Sequence, residues 1–351
     1  MATHDFDSTD GIKFLKDFVN KNGGNTGEKC EVARVNGGIR GIVCTHPLKK
    51  DEIIMSLPSS LALSLWDPST KSETPPTATD CAVNFKEWYL DDENRLNTFA
   101  PYIGILPTPS EVELDVTPDY YSENEIKMLE FPKIIESINQ RNRDIEKSST
   151  TTKLSPSDLK YYTYLVTSRS FNIRLSADDK DSDNVKGVRI MLPFLDLLNH
   201  GGKSNAELDI LNPEKDDSTF VIRAKRPIQP GKEISLTYGS GGFSSVDLFS
   251  SYGFVPSGVE GRDEKNVKVG GRKRRPVTAD ERTMAKLETE EGYVSPWSTT
   301  LEEDVERIKE GAEGRERKIL EFRAKMKVAG GWPVGVMDGK MDLKKKEGGG
   351  K

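Results

Sequence analysis

The sequence predicts an α+β fold: short β-strands, a helical insert and a short helical C-terminal extension. Three observations predict it. Strand-like segments near the start, such as Cys30-Glu31-Val32-Ala33-Arg34-Val35, are joined by tight turns and not by helices. Helical patterns then fill about residues 80 to 170. β character returns at Val188 and persists to Tyr238. Strands gathered in two blocks with helices between them indicate α+β and not alternating βαβ units.

Taken in order, residues 11–19 carry apolar side chains at helical spacing and run into Asn22-Gly23-Gly24, a stop signal. Residues 30–35 alternate as a strand does, and Asn36-Gly37-Gly38 is a tight-turn signal. Residues 39–45 and 53–58 give two more strands. From Trp66 to about Asp80 the chain is rich in Ser, Thr and Pro and reads as a surface loop. Helices are expected over 84–89, 124–144 and 157–168, the last entered through Ser155-Pro156-Ser157-Asp158. Residues 101–107 read as irregular and apolar.

Further strands are expected from 188, over 206–210, 219–224 and 233–238, with Gln229-Pro230-Gly231-Lys232 as a turn. A short helix over 246–252 is closed by Gly253. Beyond Pro256 the chain is charged and Gly-rich to about Pro276. Helices are then expected over 279–290 and 301–328, the second broken near 311–314, and residues 340–351 are expected to be disordered.

Composition narrows the function classes. The 351 residues suffice for one large or two ordinary domains, and a net charge of −6 offers no argument for a nucleic-acid partner. Cys30, Cys44 and Cys81 are scattered and odd in number, so neither a disulfide framework nor a zinc cluster is expected. With only His4, His46 and His200 to add, no metal site is expected either. The acidic, polar first ten residues do not read as a signal peptide, and no stretch of about 18 apolar residues predicts a membrane span. The expected compartment is the cytoplasm. The nucleus stands second, on the run Arg272-Lys273-Arg274-Arg275, which has a solvated loop as its commoner meaning.

The chemistry centres on the stretch from Arg189 to His200, an apolar run that must turn at Pro193 and brings Asp196, Asn199 and His200 together. Polar groups in such a segment need partners, either protein groups or a ligand, because each left unpaired costs roughly 1–3 kcal/mol. No G-x-G-x-x-G or G-x-x-x-x-G-K-[ST] pattern supports a Rossmann site or a P-loop, and no G-x-S-x-G marks a serine nucleophile. What remains is Arg40, Arg169, Asn199, His200, Tyr238 and Tyr252 on short apolar elements. Tyr238 and Tyr252 are each followed by glycine, and each taken singly has packed core as its commoner meaning.

Six motifs stand in order along the chain: Ile39 through Pro58, Phe99-Ala100-Pro101-Tyr102 through Pro107, Ser168-Arg169-Ser170-Phe171, Leu192 through His200, Gly231 through Gly239, and Ser251-Tyr252-Gly253-Phe254. With them the chain resembles the SET-domain protein methyltransferases of the class typified by Rubisco large subunit lysine methyltransferase and actin-histidine methyltransferase. The resemblance covers about residues 11 to 256 and implies a SET-type β fold. It divides the chain into an N-terminal helix at 1–28, a SET domain at 29–256 with its insert at about 80–170, and a shortened helical substrate-binding-like region at 257–351.

That resemblance implies S-adenosylmethionine as cofactor, with backbone around Gly38 and Arg40 touching it, Arg169 at its carboxylate end, and Asn199 and His200 at its amino and adenine groups. Tyr238 is the implied catalytic tyrosine, Ser168 and Asp196 line the channel for the acceptor side chain, and Tyr252 serves both channel and cofactor. The expected reaction is methyl transfer to a lysine of a non-histone protein by a monomer. A histidine acceptor, and a catalytically silent binding module, are the alternatives. The chain departs from the family pattern at Ile39, Cys44, Gly201 and Ser244-Ser245, none of which removes an implied catalytic side chain.

Overall fold

The computed structural model of the chain describes residues 9–35, 39–66, 76–114, 117–174, 187–213, 217–239, 243, 245–255 and 297–329. It also describes isolated strand pieces at 268–269, 272–273, 288–289, 292–294 and 340–341. The chain divides into two compact units, residues 1–112 with 145–240, and residues 113–144 with 241–351.

The first unit is organised by small sheets. Cys30–Val35 pairs antiparallel with Ile39–Cys44, which pairs antiparallel with Glu233–Leu236, which in turn runs parallel to the two-residue strand Asn199–His200. A second sheet orders Ile53–Pro58, Thr219–Ala224 and Ala206–Leu211, and a third orders Leu63–Ser64, Gly187–Met191 and Ser170–Arg174. Alternation along these strands turns one face inward, so that Ile42, Met55, Leu57, Met191, Ile222 and Ile234 form a buried core. The helix Thr9–Lys21 adds Leu15 and Val19 to that core. The strand Ser170–Arg174 has no counterpart in the sequence reading, which resumes β structure only at Val188.

The helical insert departs from expectation in three places. A helix starts at Ala78, inside the expected loop, because Thr77 and Asp80 form a capping box there; it ends at Phe85 and passes into a π-helical turn, Lys86–Leu90. The expected irregular stretch begins within a helix, Glu93–Ile103, which runs through Pro101. Proline there forgoes the hydrogen bond that an N–H would give the Asn97 carbonyl, a loss offset by the burial of Phe99 and Tyr102 on the same helix. The single helix expected over 124–144 is two, Glu123–Leu129 and Pro132–Thr151, separated by Glu130 at φ 50° and the turn before Pro132.

The second unit has its own apolar core, in which Phe131, Trp297 and Phe322 meet and Phe249 stacks on Phe322 at 4.4 Å. Leu301–Lys309 and Gly314–Ala329 are separate helices, as the break expected near 311–314 requires. Residues 288–289 are strand and not helix, since Glu288–Thr289 pairs with Gly292–Val294; the remainder of that expected helix lies outside the described residues. Lys340–Met341 also pairs with Gly292–Val294, against the expected disorder, and the rest of the tail lies outside the described residues. Among the described residues no helix is long and apolar enough to cross a membrane, and no cluster of His, Cys, Asp and Glu could hold a metal ion.

Candidate active site

Two turns build the site in the first unit. After the strand Gly187–Met191, Pro193 ends the ladder and Phe194 adopts φ 72° with its side chain fully buried. Holding a phenylalanine there costs on the order of 1–2 kcal/mol, and the burial of its ring offsets it. The reversal launches the short 3-10 turn Leu195–Leu197, which carries Asp196, and then the strand Asn199–His200. Successive strand residues face opposite sides, so Asn199 and His200 serve different neighbours.

Asn199 faces the sheet. Its Nδ2 donates to the Arg40 carbonyl at 3.0 Å and to Glu233 Oε1 at 2.8 Å, which commits both amide hydrogens and leaves Oδ1 as the open polar atom. Gly41 makes this approach feasible: a Cβ there would sit 2.7 Å from Asn199 Nδ2 and 2.9 Å from Glu233 Oε1. On the other face, His200 Nδ1 accepts the Tyr238 backbone N–H at 3.1 Å, so in the neutral ring the proton sits on Nε2. The His200 and Tyr238 rings meet edge to face at 5.3 Å, and the Tyr238 hydroxyl donates to the Leu198 carbonyl at 2.8 Å.

Asp196 forms a second cluster. Its carboxylate is 1% exposed, and both of its donors converge on one oxygen: the Tyr102 hydroxyl at 2.8 Å and Arg169 Nη1 at 3.1 Å, each on Oδ2. Asp196 Oδ1 and Arg169 Nε are buried with no hydrogen-bond partner. Burial and then the Asp196 charge hold the Tyr102 phenol well above its ordinary pKa, so it remains a donor. Burial works to lower the Arg169 pKa, but the Asp196 charge and the nearby tyrosines outweigh it and the net shift is upward.

The structure thus brings Arg40, Asn199, His200 and Tyr238 into one connected set, and ties Arg169 to Asp196 three residues upstream of Asn199. The Arg40 guanidinium donates to the Ile105 carbonyl at 3.3 Å. The Ser168 hydroxyl turns back onto its own helix, donating to the Tyr164 carbonyl at 2.8 Å. Tyr252 ends the helix Ser245–Tyr252 in the second unit, where its ring lies 6.2 Å from both Phe243 and Phe254. Gly38 lies outside the described residues. Sequence reasoning did not single out Tyr102, Gly41 or Glu233 as site residues. Gly201, a departure from the family pattern, is crowded by its neighbour: a Cβ there would sit 2.6 Å from Ser235 Oγ and 3.0 Å from Ser235 Cβ.

A polar site on strand ends and a buried turn, with no helix N-terminus or metal cluster among the described residues supplying it, defines a class of β fold distinct from the nucleotide-binding α/β proteins. The chain belongs to the SET domain family, whose model matches residues 39–239, more than half of the sequence. It is 21% identical over 256 residues to ribosomal lysine N-methyltransferase 4 of Saccharomyces cerevisiae, covering 62% of this chain and 49% of that protein. It is 23% identical over 292 residues to the actin-histidine N-methyltransferase of Drosophila melanogaster, covering 71% of this chain and 50% of that one. The chain therefore spans about half the length of these curated relatives. Among solved structures, the SET domain of LSMT bound to lysine and AdoHcy superposes with a TM-score of 0.65 at 13% identity, covering 93% of this chain and 91% of that one. Rubisco LSMT bound to AdoMet gives 0.61 at 13% identity, with 92% and 91% covered. These superpositions establish the SET fold of short strands with helices around them.

Proposed function

We propose that this chain is an S-adenosylmethionine-dependent protein methyltransferase acting on the side-chain nitrogen of a lysine in a non-histone protein. The observation that carries the reading is the pair of unpartnered buried polar atoms, Arg169 Nε and Asp196 Oδ1, on the segments that bear the family's motifs. Buried polar atoms are nearly always satisfied, by protein, water or ligand, and an orphaned donor and acceptor on motif-bearing segments suit a polar ligand there. Support also comes from the solved relatives, described as bound to AdoMet, AdoHcy, lysine and methyllysine.

The residues fit the cofactor. Arg169 offers its free N–H to a carboxylate, and Asn199 offers Oδ1 to an ammonium. When bound, S-adenosylmethionine supplies a methyl group activated on a cationic sulfonium. The chain's own task is to align and to dehydrate, because an in-line displacement gains most from fixed geometry in a dry channel. Tyr238 is anchored from both ends, by its backbone N–H on His200 and its hydroxyl on Leu198, which leaves the phenolic oxygen to accept weak C–H contacts at a fixed position. A lysine acceptor, ordinarily near pKa of about 10.4, must lose a proton, and burial lowers its pKa without a dedicated base.

Lysine and not histidine rests on the yeast relative and the lysine-bound structures; the fly relative, named for histidine, keeps the second acceptor in view. Labelled methyl transfer from S-adenosylmethionine into proteins of a cell extract tests the proposal, with Tyr238→Phe beside the wild type. The expected result is a discrete labelled band for the wild type, whose modified residue mass spectrometry then identifies. In Tyr238→Phe, kcat falls about a hundredfold with cofactor affinity nearly unchanged. Cofactor binding without transfer by either protein would replace the enzyme with a binding module.

A further inference from the structure

Tyr102 comes from the helix Glu93–Ile103 of the insert, 94 residues away in sequence from the carboxylate that its hydroxyl meets. Its ring is completely buried, and its hydroxyl is spent on Asp196 Oδ2 at 2.8 Å. Arg169 Nη1 donates to the same oxygen at 3.1 Å. Two donors on one oxygen fix the rotation of a carboxylate and direct its second oxygen away from both. That second oxygen, Oδ1, is buried and has no partner. A carboxylate placed only for stability would have its two oxygens satisfied, since an orphaned charged acceptor costs more than a neutral one.

We infer that Tyr102 is a positioning residue of the acceptor channel: by holding Asp196 through Oδ2, it presents Oδ1 to an N–H of the incoming side chain or its backbone. The inference rests on the methyltransferase reading and adds to it a residue from the helical insert. Tyr102 touches neither methyl donor nor acceptor; it acts through Asp196. Burial keeps its phenol protonated, so the donor stays available across the working pH range.

A double-mutant cycle on the full chain tests it. Steady-state methyl transfer to the labelled protein substrate is compared for wild type, Tyr102→Phe, Asp196→Asn and the double variant, with cofactor affinity measured separately by calorimetry. Tyr102→Phe keeps the buried ring and removes only the donor. The expected result is a fall of about tenfold or more in kcat/KM for the protein acceptor, with cofactor Kd within about twofold of wild type. In the Asp196→Asn background the same change adds little further loss, because the oxygen it serves is already altered. Thermal unfolding separates positioning from folding: a drop in kcat/KM at an unchanged cofactor Kd, in a variant that is fully folded at the assay temperature, supports the assignment. Additive losses in the cycle, or wild-type kcat/KM in Tyr102→Phe, would overturn it. An inactive wild type sinks the methyltransferase reading itself, and this inference with it, whereas an active wild type indifferent to Tyr102 sinks the inference alone.

Discussion

Asn199 shows how much of the site depends on single contacts. Its two donated hydrogen bonds tie the strand Asn199–His200 to the backbone of Arg40 and the side chain of Glu233, and Gly41 supplies the space they need. Gly41→Ala places a methyl under 3 Å from both Asn199 Nδ2 and Glu233 Oε1, closer than real contacts allow. Cofactor affinity is expected to fall at least tenfold, and stability by about 1–3 kcal/mol from overpacking. Calorimetric titration and urea unfolding read the two effects; unchanged affinity would mean that Asn199 is not a ligand-binding group. Asn199 and His200 were legible because they close an apolar run, whereas Tyr238 stood out only through the family resemblance. Tyr102 was not legible: an aromatic among Pro101, Ile103 and Ile105 has the signature of core, and only the fold brings its hydroxyl to Asp196. Gly41 was equally illegible, because sequence does not reveal which neighbour crowds a glycine.

The helices of the second unit enclose a buried ionic cluster. Asp304, fully buried on Leu301–Lys309, meets Lys327 Nζ at 2.5 Å and Arg323 Nε at 3.4 Å, both on Gly314–Ala329. Arg323 also pairs with Glu130 at 3.2 Å, and Lys327 lies over the Trp297 ring at 5.5 Å. Breaking such a cluster from one side strands the remaining charges, so Asp304→Ala is expected to destabilise the protein by about 3–5 kcal/mol. The paired change Asp304→Leu with Lys327→Met, which removes a charge from each side, is expected to cost much less. Chemical denaturation of the three proteins checks this, and equal losses in the single and paired variants would refute it. At this scale the chain was partly legible. The break between these two helices follows from Gly311 and Gly314, both at positive φ, which punctuate the pattern. The break at Glu130 carried a signal too, in Phe131-Pro132, but the helical spacing on either side concealed it. The helix through Pro101 reversed the usual rule, since tertiary burial of Phe99 and Tyr102 outweighs one missing N–H in a last turn.

Over the whole molecule, the pattern of strands and insert revealed the fold class, whereas nothing local in residues 113–144 signals that they cluster with 241–351. The cores of the two units differ in what they bury, and this makes stability depend on alkaline pH through the first unit. Burial, ahead of a weaker opposing effect of Lys16, pushes the Cys30 thiol up to about 11, and burial likewise pushes Cys81 to about 11, both from an ordinary value of 9.0. Burial also raises the phenols of Tyr89, Tyr162 and Tyr164. A buried acid with a raised pKa holds its proton in the folded state after the unfolded chain has released it. Its contribution to stability is therefore complete below the unfolded value and is lost as pH rises through the folded one. For the two cysteines the window runs from about 9 to about 11, and a two-unit shift corresponds to about 2–3 kcal/mol for each. Unfolding free energy is thus expected to decline steeply across that window. In a Cys30→Ala, Cys81→Ala double variant the decline becomes shallower by up to about 5 kcal/mol over the same range, whatever its stability at neutral pH. Urea titrations at pH 8, 9, 10 and 11 on both proteins measure the difference in slope, and parallel curves would show that neither thiol is as shielded from ionisation as its burial implies.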